Sequence, residues 1–358
     1  MKTVRVATDP PYEVRVGRGL LAELAAETAR FPRRGLLTDE RVGALYLERL
    51  SGIDAPSLAV PAGEASKSLA TLERVLDFMA GAGLERSSCL LALGGGVVGD
   101  LAGLAASLYM RGIAVVQVPT TLLAQVDASV GGKTAVNLAA GKNLAGTFHQ
   151  PALVVCDVET LATLEREDFE SGLGEVVKSA ILEGEDALRH LERARARIRA
   201  RDPDALAEIV ERCVRLKASI VVRDPKEEGA RRALNLGHTF AHAIEKAAGY
   251  GRVPHGSAVA VGLTLALRAS SDIGLLEDAG LVDRVRQLLL DLAVPADLGS
   301  LRERYGVELF PAAIVAGMSH DKKNVGGTLR LVLPVRAGRV ELGVELDGPD
   351  LARSLASA

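Results

Sequence analysis

Short apolar runs alternate with amphipathic segments through the first half of the chain. Val4–Ala7 and Glu13–Val16 read as strands, with Pro10–Pro11 as the turn between them. Gly35–Thr38, Ser57–Val60, Cys89–Leu93, Ile113–Val118 and Leu153–Asp157 read as further strands, and Leu20–Arg30, Leu69–Gly81 and Val97–Met110 as helices. Strands alternating with helices predict a mostly parallel sheet. From about Leu161 to Met318 the apolar spacing turns almost wholly helical, clearest in Glu185–Ala200, Pro203–Val222, His238–Ala248 and Ser257–Ile273. Leu329–Pro334 and Arg339–Leu342 predict a late hairpin around Ala337–Gly338. The pattern divides the chain into an α/β domain over residues 1–157 and a helical domain over residues 158–358, without internal repeats or low-complexity tracts.

Composition agrees with two domains. The chain has 358 residues, 48% apolar and 25% charged, the profile of a globular protein. A net charge of −3 supplies no broad basic field, so no nucleic-acid partner is expected. An acidic small molecule would need local cations. Cys89, Cys156 and Cys213 are odd in number and lack CxxC spacing, which points to a reducing compartment. The opening MKTVRVATDPP has no apolar h-region, and the longest apolar runs, such as Ala258–Leu267, are too short for a bilayer. A cytoplasmic chain with no membrane partner is the expectation. Arginines number 33 and lysines only 10, and seven of the lysines (Lys67, Lys133, Lys142, Lys178, Lys217, Lys322 and Lys323) fall in the motif segments described below. A compact ammonium rather than a planar fork is used there.

Three segments carry candidate chemistry. LGGGVVGD (Leu93–Asp100) contains the GxGxxG pattern at Gly94, Gly96 and Gly99, after a strand and at a helix start. Such glycines admit phosphate to a helix N-terminus. A tight strand–helix turn accounts for them equally well. Asp39, at the end of an earlier strand, is placed to meet a ribose hydroxyl, and Asp100 is placed either for the nucleotide or as a helix cap. LNLGHTFAHAIE (Leu234–Glu245) puts His238 and His242 one helical turn apart. Thr239 stands where the zincin HExxH motif needs its glutamate, which argues against a metalloprotease. With His255 and with Glu175, which shares a helix face with Lys178, the ligand set of an open catalytic zinc site is present. Structural histidines and a surface ion pair are the alternatives. DASVGGK (Asp127–Lys133) with Lys142 and Asn143 is a polar, glycine-rich stretch that reads as a surface loop or as an anion cradle.

These segments, with PAGEASKS (Pro61–Ser68), YMRG (Tyr109–Gly112), PTTLLAQVDASVGGKTAVN (Pro119–Asn137), GKNLAGTFHQP (Gly141–Pro151), TLATL (Thr160–Leu164), GLGEVVK (Gly172–Lys178), RRALNLGHTFAHAIE (Arg231–Glu245), HGSAV (His255–Val259) and DKK (Asp321–Lys323), run in order over most of the chain. Together they resemble the 3-dehydroquinate synthases of the sugar phosphate cyclase family. The resemblance implies an N-terminal Rossmann-like NAD-binding α/β domain and an all-α C-terminal domain. It implies a phosphorylated, carboxylated sugar substrate, 3-deoxy-D-arabino-heptulosonate 7-phosphate, converted to 3-dehydroquinate and phosphate in the shikimate pathway. The implied sequence is oxidation by NAD, phosphate elimination, reduction, ring opening and intramolecular aldol closure, with NAD recycled.

The resemblance also implies Zn²⁺ or Co²⁺ on Glu175, His238 and His255, with His242 as a nearby polar group. It places Asp39, Glu64, Lys67, Gly95, Gly96, Val97, Val98, Gly99, Asp100, Thr120, Thr121, Thr160, Leu161 and Thr163 at NAD. Lys133 and Lys142 are shared between cofactor and substrate, and Arg111, Asp127, Asn143, Lys178, Lys217, Arg231, Asn235 and Lys322 are assigned to substrate. A homodimer is implied. The chain departs at Ser257, where many relatives carry Glu. Competing readings are another sugar phosphate cyclase, an iron-type polyol dehydrogenase that uses NAD stoichiometrically, and a catalytically dead nucleotide-binding regulator.

Overall fold

The structure, a computed structural model, describes residues 1–50, 52–319 and 329–356. Lys322 and the rest of the DKK segment lie outside the described residues. In chain order the first half forms β1 (Lys2–Val6), β2 (Tyr12–Gly17), α1 (Leu24–Glu27), β3 (Arg34–Asp39), α2 (Glu40–Tyr46), β4 (Ser57–Val60), α3 (Leu69–Gly81), β5 (Cys89–Gly94), α4 (Gly96–Leu108), β6 (Ala114–Pro119), β7 (Lys133–Leu138), β8 (Gly141–Phe148) and β9 (Leu153–Asp157). The second half forms α5 (Arg166–Glu183), α6 (Glu185–Arg199), α7 (Pro203–Arg223), α8 (His238–Ala248), α9 (His255–Asp272), α10 (Gly280–Asp291), α11 (Leu298–Tyr305), α12 (Pro311–Ser319), β10 (Arg330–Arg336), β11 (Arg339–Glu345) and α13 (Gly348–Ala356).

Two compact units result. The first holds Met1–Leu164 together with Pro203–Lys226, and the second holds Glu165–Asp202 together with Glu227–Ala358. The helix α7 therefore belongs with the first unit, which a single cut at residue 157 does not foresee. Its periodicity is amphipathic like that of its neighbours, and amphipathicity does not say which core receives the apolar face. Here Leu206, Ile209, Val210 and Val214 are buried, and Lys217 reaches Asp127 at 2.8 Å.

In the first unit the sheet order is β1-β2-β9-β6-β5-β3-β4, parallel from β2 to β4, with β1 antiparallel on the β2 edge. Both faces are covered, as parallel sheets require. Alternation along β5 sends Leu90 and Ala92 into one core with α3 and α4, and Cys89, Leu91 and Leu93 into another with Leu20, Leu24 and Tyr46. The stretch from Asp127 to Asn143, read as a surface loop or an anion cradle, runs into regular structure rather than staying an open loop. Lys133–Phe148 folds as the antiparallel hairpin β7–β8, with Thr134 and Val136 buried. Its β-branched positions at Thr134, Val136 and Thr147 favour strand despite the flanking glycines.

The second unit is helical apart from the hairpin β10–β11, so the all-α expectation holds except for the late hairpin that the alternation there predicts. Among the described residues no helix is long and apolar enough to cross a membrane. The three cysteines are free and buried, and burial pushes the Cys89 thiol up to about 12. Raised thiol pKa and burial both suppress thiolate chemistry. We therefore expect a native chain to consume no thiol reagent over minutes and to titrate three thiols after denaturation. Rapid labelling of the folded chain would contradict this placement.

Candidate metal centre and nucleotide loop

Three glycine contacts build the metal candidate in the second unit. A Cβ on Gly174 would lie 2.0 Å from the carbonyl oxygen of Gly256, and one on Gly256 would lie 1.9 Å from that of Ser171. The helices α5 and α9 therefore meet backbone to backbone. Gly237, in the left-handed region at φ 77°, precedes α8, and a Cβ on Gly262 would lie 2.2 Å from its carbonyl oxygen. One glycine of each contact adjoins a candidate donor: Gly174 precedes Glu175, Gly256 follows His255, and Gly237 precedes His238. Close backbone approach thus brings the three donors to one point.

Nε2 of His238 lies 3.5 Å and Nε2 of His255 lies 3.6 Å from Glu175 Oε1. One donor atom from each residue falls within 4.8 Å of the others. Tetrahedral coordination with bonds of about 2.0–2.1 Å separates neighbouring donors by roughly 3.3–3.4 Å, so the set fits a small divalent cation with an open position. The second nitrogens are also held. His238 Nδ1 lies 3.2 Å from the Leu236 carbonyl oxygen, and His255 Nδ1 lies 3.3 Å from Glu245 Oε2. Such outer bonds fix the tautomer that leaves Nε2 for a metal.

Electrostatics favour the same use. Glu175 is 1% exposed and ion-pairs with Lys178 Nζ on the next turn. Burial, and then the Lys178 ammonium, holds the His238 imidazole well below its usual range, so it is a neutral donor. Burial also acts to lower His255, but hydrogen bonds to Glu175 and Glu245 outweigh it and push the ring up to about 10. A cation and a proton compete for that ring. His242 is exposed, with its ring centroid 5.8 Å from that of His238. Arg231 is buried on the turn Ala230–Asn235, and Asn235 Nδ2 donates to Glu227 Oε1 at 2.6 Å. Sequence reading missed Glu245. Its signal is spacing, because His238, His242 and Glu245 sit at i, i+4 and i+7 on one helix face.

In the first unit β5 ends at Gly94 and α4 starts at Gly96. Two of the three patterned glycines have a packing reason. A Cβ on Gly94 would lie 2.6 Å from Val98, and one on Gly99 would lie 2.7 Å from Gln117 Oε1. Gly95 and Gly96 line a small recess with Asp100, Gln117 and Ser129. Among the described residues no side chain caps α4 there, which leaves the first-turn amides of Gly96, Val97 and Val98 for an anion. Thr120 Oγ1 and Ser129 Oγ, both buried, have no hydrogen-bond partner among the described residues. Open amides and unmet buried hydroxyls suit a bound polar ligand.

Other first-unit positions divide. Asp39 caps α2, accepting from Val42 N at 2.9 Å. Asp100 is not a cap: it lies inside α4 and pairs with Lys67 Nζ at 2.6 Å. Burial raises its carboxyl and Lys67 opposes the rise. Lys67 Nζ also donates to Asn143 Oδ1 at 2.5 Å, and Asn137 Nδ2 donates to Glu64 Oε1 at 2.7 Å. This network draws Glu64, Lys67, Asp100 and Asn143 together. Thr121 Oγ1 accepts from Ala124 N. Thr160 and Leu161 are buried and Thr163 is exposed: the Thr160 hydroxyl donates to the Asp157 carbonyl oxygen, and the Thr163 hydroxyl meets that of Tyr46. Lys133 and Arg111 are exposed, and Lys142 is half-buried.

The family model for the 3-dehydroquinate synthase N-terminal region matches residues 57–171, and that for the C-terminal region matches residues 172–324. The 3-dehydroquinate synthase of Cereibacter sphaeroides is 46% identical over 354 residues, covering 96% of this chain and 94% of the relative. Among solved structures, 2-epi-5-epi-valiolone synthase from Streptomyces hygroscopicus, with NAD⁺ and Zn²⁺ bound, aligns with a TM-score of 0.86 at 30% identity, covering 97% of this chain and 96% of that one. A 2-deoxy-scyllo-inosose synthase complexed with carbaglucose-6-phosphate, NAD⁺ and Co²⁺ aligns at 0.87 with 25% identity, covering 99% of both. Matches that span both units, and agree with the motifs read in order along the chain, place it in the 3-dehydroquinate synthase family.

Proposed function

We propose that the chain is a lyase that converts 3-deoxy-D-arabino-heptulosonate 7-phosphate to 3-dehydroquinate and phosphate, with NAD and Zn²⁺ or Co²⁺ as cofactors. The observation that carries the reading is the convergence of Glu175 with two imidazoles at 3.5 and 3.6 Å, in a chain whose family match is nearly full length. When bound, NAD supplies a reversible hydride acceptor, and the cation supplies a Lewis acid that acidifies a substrate hydroxyl. The protein's own groups do the rest. Glu175, His238 and His255 hold the cation. Lys178 balances the buried carboxylate. Arg231 supplies a fixed guanidinium for a phosphate or carboxylate, and Asn235 a neutral hydrogen-bonding group.

In the first unit, the α4 amides and the Asp100–Lys67 pair are assigned to NAD. Lys133, Lys142, Arg111, Asp127, Asn143 and Lys217 are assigned to substrate by the family resemblance, and Lys133 and Lys142 to the cofactor as well. The proposal extends to a homodimer in the cytoplasm, with no nucleic-acid partner, and the three buried free thiols accord with a reducing compartment.

A second reading, another sugar phosphate cyclase, is favoured only by the two ligand-bound structures above. Phosphate release from the heptulosonate phosphate with substoichiometric NAD decides between them. We expect many turnovers per NAD, no accumulation of NADH, and loss of turnover after chelation with recovery on adding Zn²⁺ or Co²⁺. Metal stripping should also lower thermal stability, by about 2.7 kcal/mol at a cation concentration 100 times Kd. Net NADH release points to a polyol dehydrogenase, and turnover that survives chelation removes the metal assignment.

A further inference from the structure

Two donor triads, sharing one residue, lie within coordinating reach. Glu175, His238 and His255 form the first, and His242, Glu245 and His255 form the second, with one ligand atom each again within 4.8 Å. His255 is the pivot. Its Nε2 lies 3.6 Å from Glu175 Oε1, while its Nδ1 lies 3.3 Å from Glu245 Oε2. A flat imidazole directs its two nitrogens apart, so the triads lie on different sides of one ring. The separation of 3.3 Å matches the donor spacing of a tetrahedral ion held at about 2.0–2.1 Å.

The triads differ in access. The Glu175 side chain is 1% exposed and that of His238 is 13% exposed. The His255 side chain is 35% exposed, and His242 lies on the surface. Along one face of α8 the donors run from His238 through His242 to Glu245. The His242 and His255 rings are nearly parallel, at 29°, with centroids 6.1 Å apart. The Glu245 side chain, at 5% exposure, is buried like that of Glu175, so the route to either carboxylate runs over the His242 and His255 imidazoles, which an ion from solvent meets first. A neutral imidazole carries one lone pair, so His255 serves one triad at a time.

We propose that His242, Glu245 and Nδ1 of His255 form an outer station for a divalent cation, through which the ion enters and leaves the Glu175–His238–His255 centre. This rests on the reading of that inner centre as the resident cation site. The outer triad is an exchange position, occupied in passing and exclusive of the inner one.

Co²⁺ is the probe, because its visible bands report donor set and geometry. Metal-free full-length protein is mixed with Co²⁺ in a stopped-flow instrument, and release is followed with excess chelator. His242→Ala should slow uptake and release together by at least about tenfold, leaving Kd within about twofold. His242→Gln should behave alike, and its melting temperature should match the wild type, since the side chain is exposed. Glu175→Gln should retain one weaker Co²⁺ with an altered spectrum, and Glu175→Gln/His242→Ala should lose it. Wild-type rates in both His242 variants overturn the outer station, as does a double variant that binds Co²⁺ like Glu175→Gln. A wild-type Kd and spectrum in Glu175→Gln overturns the inner centre instead, so the two readings fail separately.

Discussion

Glu175→Gln should cut phosphate release at least about 1000-fold, the roughly 4 kcal/mol that loss of a metal's charge stabilisation implies. The substitution keeps shape and removes charge. Glu175 is almost wholly buried, with Lys178 Nζ against one oxygen and two imidazole nitrogens against the other. A neutral amide weakens cation binding and leaves the Lys178 ammonium in the interior without its carboxylate. Removing one partner of a buried ion pair costs about 3–5 kcal/mol, so the melting temperature should fall as well. Glu175→Gln/Lys178→Met separates the two effects. It should recover most of the stability, because no lone charge is left inside, while turnover stays at the floor. A double variant that regains activity would show that Glu175 acts only by balancing Lys178.

Gly256→Ala should be nearly as damaging, although it removes no functional group. The added methyl would need to sit 1.9 Å from the Ser171 carbonyl oxygen, on rigid helical backbone. The helices α5 and α9 must separate to admit it. Overpacking of this kind costs about 3 kcal/mol, and here the displacement acts directly on the Glu175–His255 spacing. The variant should melt earlier and bind Co²⁺ at least about tenfold more weakly, as expected when the support of a metal ligand is disturbed. Glycine introduced at Ala260 on the same helix serves as a control. Ala260 is buried beside Gly174, so the change should cost about 1 kcal/mol from helix propensity plus the burial of the methyl it removes; because it opens the contact instead of crowding it, the metal affinity should be unchanged. Equal metal affinities in wild type and Gly256→Ala would show that the helix contact does not set the donor geometry.

Much of this was legible before any coordinates. Short continuous apolar runs such as Cys89–Leu93 and period-3.6 runs such as Leu69–Gly81 carry their own signature, and both form where expected. The short helix α2 was missed because seven residues, Glu40–Tyr46, are too few to show a period. Its start signal is Asp39, whose side chain accepts from Val42 N. For Asp100 the local sequence leaves a nucleotide contact and a helix cap open, and the structure removes the cap: the carboxylate pairs with Lys67. Partners 33 positions apart leave no local trace. The histidine and glutamate candidates were visible as residue types. The reason they converge was also written in the chain, as a glycine beside each donor, but a glycine reads locally as a turn or a weak helix position. Only the neighbouring backbone shows what the missing side chain makes room for.

The late return of α7 has a consequence for biosynthesis. A ribosome emits the nine strands of the first unit well before Pro203–Arg223 appears, and Glu165–Asp202 of the other unit emerges in between. Until then the nascent sheet lacks the helix whose Leu206, Ile209 and Val210 it will bury. Folding domain by domain during translation is thus barred for this topology, and the half-made sheet spends the synthesis of some forty further residues with an apolar flank for chaperones to shield.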